Sequence, residues 1–167
     1  RAGVDGQIYS SPAIDRDGNL YVASLNGTAY SFTAGGVQRW RAVIGGFISS
    51  SPAVAFGKVY LASYDKNLYA LDASSGAKTW SYALGDEVRA SSPAVAQDGS
   101  VFIGGYDRRV HHVNADCTRR RTYIGAGWFR SSPLLAHGKL YIGNNDGRLY
   151  AFEVGLRAAV GTAAPWP

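Results

Sequence analysis

The chain has 167 residues and a mass of 17.8 kDa, 46% apolar and 17% charged, which fits one folded domain and excludes a disordered one. No apolar run approaches the roughly 20 residues of a membrane-spanning helix, and a lone cysteine, Cys117, excludes an intrachain disulfide framework. Seventeen basic against twelve acidic side chains leave a charge of +5, which suits weak attraction to anionic surfaces and specifies none of them. The chain opens at Arg1, without an initiator Met or a charged-then-apolar leader, and reads as processed or excised from a longer one.

The first unit, residues 4–45, begins with a strand-like lead and reaches Ser11-Pro12, followed by Ala13-Ile14. An apolar run LYVAS (20–24), a polar turn LNG, a second run TAYSF (28–32) and a closing segment VQRWRAVIG (37–45) complete it. The second unit, residues 46–85, repeats this order with Ser51-Pro52, Ala53-Val54, VYLAS (59–63), NLYAL (67–71) and AKTWSYALG (77–85). The third, residues 86–125, has Ser92-Pro93, Ala94-Val95, VFIGG (101–105) and RVHHV (109–113). The fourth, residues 126–161, has Ser132-Pro133, Leu134-Leu135, LYIGN (140–144) and RLYAF (148–152). Its closing segment, GLRAAVG (155–161), is a poor copy, and a tail follows at 162–167.

The Ser-Pro pairs fall at spacings of 40, 41 and 40. Four short strands per unit of about 40 residues predict propeller blades, since β-helix coils repeat at roughly half that period. Pro12, Pro52, Pro93 and Pro133 stand at strand starts, where a missing N–H costs no ladder bond. Asp17-Gly18, Asp98-Gly99 and Asp146-Gly147 supply hairpin turns, and Phe56-Gly57 and His137-Gly138 serve a turn one residue shorter. The fold class is therefore all-β: a β-propeller segment of about four four-stranded antiparallel blades.

ALDASSGAKTW (70–80) matches the A-x-D-x-x-x-G-x-x-x-W motif of quinoprotein-type propellers, the pyrroloquinoline-quinone-like repeats. The recurrent S-S-P-A-V and D-G-x-L-Y-A patterns resemble the same family over nearly all of residues 4–153. That resemblance implies that Trp40 and Trp80 pack between blades, with Gly36, Gly76, Ala70 and Asp72 as the other motif positions. In the third unit HHVNADCTRRRTY (111–123) lacks both Gly and Trp, and Arg120 aligns with Trp80. The resembled families have seven or eight blades, so four blades imply half of an eight-bladed ring. Either a homodimer or the remainder of a longer propeller chain would complete it. The resemblance further implies a periplasmic, cell-surface or secreted location, as in outer-membrane assembly lipoproteins or the sensor domains of bacterial kinases.

Fold does not give function, so the chemistry has to come from side chains. Quinone-dependent dehydrogenases of this fold need adjacent cysteines, a calcium-binding carboxylate and a catalytic Asp on many blades. One Cys and two Glu do not supply that set, so no cofactor is expected. DRDGN (15–19) resembles the start of a calcium loop but lacks the distal Glu, and serves as a turn. His111 and His112 are neighbours on a strand and point to opposite faces, which suits structural roles better than one metal site. Arg108, Arg109, Arg119, Arg120 and Arg121 form a candidate anion patch, set against a plain charged edge.

The residues before each Ser-Pro lie near one rim of a propeller, where loops vary on a fixed scaffold. Phe47, Ile48, Arg89, Trp128, Phe129 and Arg130 are the candidate partner surface there, being types enriched in binding hot spots. A protein partner of unknown identity is expected, and no specific nucleic acid, because the aromatics recur at core positions. The function expected is a non-enzymatic interaction scaffold. A fragment of a quinone-dependent dehydrogenase and a sugar- or anion-binding propeller stay open as alternatives.

Overall fold

The computed structural model describes residues 3–159, and within them the chain is built from fifteen strands and no helix. Four antiparallel sheets follow one another, each a meander whose strands pair in chain order. The first holds β1 (Ala13–Ile14), β2 (Leu20–Ser24), β3 (Thr28–Phe32) and β4 (Gln38–Val43). The second holds β5 (Ala53–Ala55), β6 (Lys58–Ala62), β7 (Asn67–Asp72) and β8 (Lys78–Ala83). The third holds β9 (Ala94–Val95), β10 (Val101–Gly104), β11 (Arg109–Val113) and β12 (Arg119–Ile124). The fourth has three strands among the described residues, β13 (Leu134–Ala136), β14 (Lys139–Gly143) and β15 (Leu149–Glu153).

The second and third blades are apolar on both faces because both meet a neighbour. Tyr21 and Ala23 of β2 pack toward the second blade, where Val59, Leu61, Leu71 and Val54 receive them. Tyr60, Ala62, Leu68 and Ala70 of the second blade meet Val95, Val101, Ile103 and Val113 of the third. Phe102 and Val110 meet Leu135, Leu140 and Ile142 of the fourth. The outer strands β4, β8 and β12 alternate charged or polar residues toward solvent, which also blunts them as pairing edges. The register between the third and fourth strands shifts at the same place in three blades: Ser31/Phe32, Ala70/Leu71 and His112/Val113. The turn at Phe56-Gly57 has φ of 51° and 69°, and that at His137-Gly138 has 50° and 76°. Positive φ at both central residues is the signature of a two-residue hairpin turn.

The tryptophans lie in the joints. Trp40 Nε1–H donates to the Ala73 carbonyl of the next blade at 3.0 Å, and Trp80 Nε1–H to the Ala115 carbonyl at 3.2 Å. Ala70 is fully buried opposite Trp80 in the β7–β8 register. Asp72 shapes the turn that follows: its Oδ1 accepts the Ser74 and Ser75 N–H groups at 3.0 and 2.9 Å, and its carbonyl accepts Gly76 N–H at 2.8 Å. The Ser74 and Ser75 hydroxyls also donate to Oδ1, and these two bonds, with the two N–H groups, hold the carboxyl down at about 2.

The Ser-Ser-Pro segments do two things. The first serine ties down the second strand of its own blade: Ser10 Oγ donates to the Ala23 carbonyl at 2.8 Å and accepts Ala23 N–H at 3.1 Å. Ser50 makes the same pair with Ala62, and Ser131 with Gly143. The second serine reaches across: Ser11 N–H donates to Ser51 Oγ, Ser51 N–H to Ser92 Oγ and Ser92 N–H to Ser132 Oγ, each at 2.9 Å. Pro52, Pro93 and Pro133 are buried beside this ladder, at the mouths of β5, β9 and β13, while Pro12 before β1 is exposed.

Two expectations about the ends are corrected. Residues 4–9 form no strand; Gln7 offers its carbonyl to Leu25 N–H, and Asp5 N–H donates to Tyr30 Oη. The segment after β15 does not pair with β15. It crosses to the inner strand of the third blade, where Ala158 bridges Ala96 and Gln97 N–H donates to the Arg157 carbonyl at 2.9 Å. On this path Val154 and Leu156 pack on the core between the third and fourth blades, and Ala159 is buried in the core between the second and third. The tail at 162–167 and the last residues of 155–161 lie outside the described residues.

Candidate functional site

The connections between blades build one rim. Each is pinned by a backbone bond from the turn after the second strand: Leu25 N–H to Gln7, Tyr64 N–H to Phe47, Tyr106 N–H to Glu87 and Asn145 N–H to Trp128, all between 2.8 and 3.1 Å. The next residue turns inward. Ile48, Val88 and Phe129 are at most 1% exposed and wedge the joints, so Ile48 and Phe129 do not belong to any surface. Arg89 does not occupy the place of Ile48, as their Ser-Pro offsets imply; the third connection holds one more residue, Val88 takes the wedge and Arg89 is free to point outward.

What faces solvent is a continuous belt. Phe47, 59% exposed, meets Tyr64 edge-on at 5.9 Å. The Arg89 guanidinium lies over Tyr64 at 5.6 Å and over Tyr106 at 5.2 Å. Trp128, 47% exposed, stacks on Tyr106 at 4.9 Å and 20°, and Arg130 lies 6.0 Å over the same ring. Glu87 grips Arg89 at 2.9 Å, and this bond and its charge raise the guanidinium pKa further. Tyr64 and Tyr106 sit in turns that a sequence pattern reads as polar; the detectable signal is a Tyr just ahead of Asp65 and Asp107 in two units. The belt passes into a shallow groove of about 430 Å³ beside Arg130, lined by Asn144, Asn145 and Arg148. Rings locked by one another present apolar area and cation faces at little entropic cost.

The five arginines of the expected anion patch do not converge. Arg109 opposes Ile124 at one end of the β11–β12 ladder, whereas Arg119 opposes Val113 at the other, roughly 13 Å away at 3.3 Å per residue. Arg108 occupies a turn with φ 63°, Arg120 pairs with Asp98 at 2.6 Å and Arg121 covers Tyr123 at 5.1 Å. His111 and His112 are internal. His111 Nε2 contacts Asp107 Oδ2 at 2.8 Å, in the place where Tyr69 and Tyr150 donate to Asp65 and Asp146. Burial opposes the Asp107 carboxylate, yet its His111 and Arg109 contacts hold its pKa below the usual value. His112 stacks on Phe102 at 3.9 Å beside Ser100, and burial, helped by Arg120, pushes it down to about 4. Asp15, the first acidic residue of the calcium-like DRDGN, is consumed by its own turn, accepting Asp17 N–H, Asn19 N–H and Tyr21 Oη–H. Among the described residues no three His, Cys, Asp or Glu side chains gather as a metal set, and no helix is long and apolar enough to cross a membrane.

A family model described as outer membrane protein assembly factor BamB matches residues 2–90, just over half of the chain. The chain belongs to this family of quinoprotein-type repeats. The BamB of Yersinia pestis is 29% identical over 140 residues, covering 81% of this chain and 35% of that protein. The crystal structure of BamB from Moraxella catarrhalis superposes with a TM-score of 0.79 at 25% identity, over 91% of this chain and 48% of that one. The computationally designed Ika4 protein superposes with a TM-score of 0.81 at 12% identity, over 92% and 94%, a likeness of fold. This BamB-like propeller segment thus spans about a third of the length of the Yersinia relative and about half of the Moraxella structure.

Proposed function

We propose that the chain is a non-catalytic interaction module in the assembly of outer-membrane proteins, exposed to the periplasm, and that it docks a protein partner on the Phe47–Trp128 rim. The observation that carries this is the belt itself: five joined contacts link Phe47, Tyr64, Arg89, Tyr106, Trp128 and Arg130 across three successive connections. Large rings left half in water, yet held rigidly, are the anchors that protein interfaces use. Membership of the assembly-factor family supports the cellular setting. The anion-binding alternative loses its patch because the arginines separate, and the His111–Asp107 pair is shut inside a blade joint. A photo-activated cross-linker at Phe47 or Trp128, expressed in the periplasm, tests the reading. Both positions are expected to capture an outer-membrane assembly component, identified by mass spectrometry, whereas Val37 on an outer turn is not. Equal capture from Val37, or none from the rim, contradicts it.

A further inference from the structure

The inner strand of a blade pairs through one edge only, and in the third blade another part of the chain takes the second edge. Arg157–Ala159 lies along β9 as a short antiparallel addition. Ala159 N–H donates to the Val95 carbonyl at 2.8 Å, Gln97 N–H donates to the Arg157 carbonyl at 2.9 Å, and Ala158 stands opposite Ala96. Val54, Ala55 and Phe56 hold the same three places in the second blade. Ala55 pairs with Lys58 around the Phe56-Gly57 turn, so the alternation of an antiparallel ladder turns the Val54 carbonyl and the Phe56 N–H to the open side of β5. Both faces of this blade are already in joints, with the first blade and with the third. Its open edge therefore looks onto the central channel, where no further blade would cover it.

A cavity of about 550 Å³ lies against that edge, a size that suits a small ligand or a short peptide. Val54, Ala55, Phe56 and Ala73 give it apolar walls, and the exposed Arg16 and Gln97 add polar groups. Ala158 and Ala159 line it too, so the segment seated on β9 borders the open edge of β5. Phe56 is the unusual member. It holds φ 51°, a conformation that the first place of such a turn gives to Asn, Asp or Gly, and its ring is 59% exposed. Backbone strain that burial does not offset collects at binding positions. We propose that this recess binds an extended peptide of a partner protein as an antiparallel strand on β5. A small side chain of the peptide faces Ala55 and the longer one before it lies along the Phe56 ring, in the order that Arg157 and Ala158 show along β9. Main-chain bonds supply the affinity and the flanking recess the selectivity, as in other strand additions. Residues 157–159 are committed to β9 in every copy of the chain, so the occupant of β5 is another protein. The recess is at the opposite end of the strands from the Phe47–Trp128 rim, and it stands or falls independently of that surface.

The test is a titration of the isotope-labelled 167-residue chain with a capped synthetic peptide of sequence GLRAAVG, that of residues 155–161, followed by amide NMR. Saturable shifts are expected at Val54, Ala55 and Phe56, with slower hydrogen exchange at Phe56 N–H. The same peptide with Pro in place of its second alanine lacks the N–H that would reach the Val54 carbonyl, and binds about tenfold more weakly or worse. Phe56→Asn separates recognition from folding. Asn suits the turn, so the variant melts higher than the wild type, yet it loses the ring and binds the peptide about tenfold more weakly. Equal affinity for the Pro peptide, or unchanged affinity in Phe56→Asn, overturns the proposal, as does the absence of any saturable shift. Shifts at Val95, Ala96 and Gln97 in place of β5 show exchange with the chain's own segment and overturn it too. Shifts at Val54, Ala55 and Phe56 that follow protein concentration without peptide assign the edge to a second copy and overturn the partner.

Discussion

Gly76 of the second blade lies flat against the indole of Trp40 in the first. A Cβ at Gly76 would stand 2.7 Å from Trp40 Cδ2 and Cε3, and the backbone there has φ +75°. Gly36 has nearly the same φ, +81°, with open space around it. The two glycines therefore separate conformational strain from steric strain. Gly36→Ala is expected to cost only the left-handed penalty, about 1–2 kcal/mol. Gly76→Ala adds the overpacking of a joint, about 1–3 kcal/mol more. Urea midpoints of the two variants measure the difference; equal losses contradict the wedge.

The two tryptophans are not equivalent. Trp40 is 7% exposed and Trp80 only half-buried, because the third blade offers Cys117 where the second offers Gly76. Cys117 holds φ 75° and its Sγ–H reaches the Ser81 carbonyl at 3.3 Å, so a side chain occupies the space that the glycine leaves to the ring. Trp40→Ala is expected to cost about 3–5 kcal/mol, and Trp80→Ala clearly less. Equal losses in chemical denaturation go against this assignment.

Stability is expected to fall as the pH drops from about 6.5 to about 4. His112, 3% exposed on the Phe102 ring, has its pKa pushed down to about 4, so the unfolded chain takes up the proton first. The contribution is intact above the unfolded value and lost on acidification through that window, by roughly 2–3 kcal/mol. His112→Gln removes the titration. Unfolding free energies of both proteins at several pH values check it: the slope between pH 6.5 and 4 should flatten in the variant.

The inward serines carry a separate expectation. Ser50 is fully buried and both donates to the Ala62 carbonyl and accepts its N–H. Ser50→Ala leaves that N–H buried without its partner, at about 1–3 kcal/mol. The exposed end of the ladder, Ser11, receives no N–H among the described residues and should tolerate Ala within about 0.5 kcal/mol. Thermal unfolding of the two variants distinguishes them.

Much of this architecture was legible because each joint needs the same side chains. The pairs Ala13-Ile14, Ala53-Val54, Ala94-Val95 and Leu134-Leu135 recur because one member faces forward and the other back. The rim was legible only in part. A spacing of 41 in place of 40 reveals an extra residue without placing it, and counting back from Ser-Pro puts Arg89 level with Ile48 although Val88 fills the joint. Tyr64 and Tyr106 were hidden in turns, and their stacking on Arg89 is a product of the blade geometry, not of any local pattern. The path of residues 154–159 is unreadable because VGLRAA carries neither a Trp nor a Ser-Pro landmark, and the packing of Val154 and Leu156 on the joint of the third and fourth blades follows no repeat of the earlier units.

The rim as a docking surface is tested most directly by affinity. With the assembly component captured at Trp128 in purified form, calorimetry compares the wild type with an Arg89→Ala/Trp128→Ala variant. Both side chains are exposed, so the variant should unfold at the wild-type temperature and its blades should be unchanged. Loss of two central anchors is expected to weaken binding by at least about a hundredfold. Unchanged affinity in a normally folded variant contradicts the assignment of the rim.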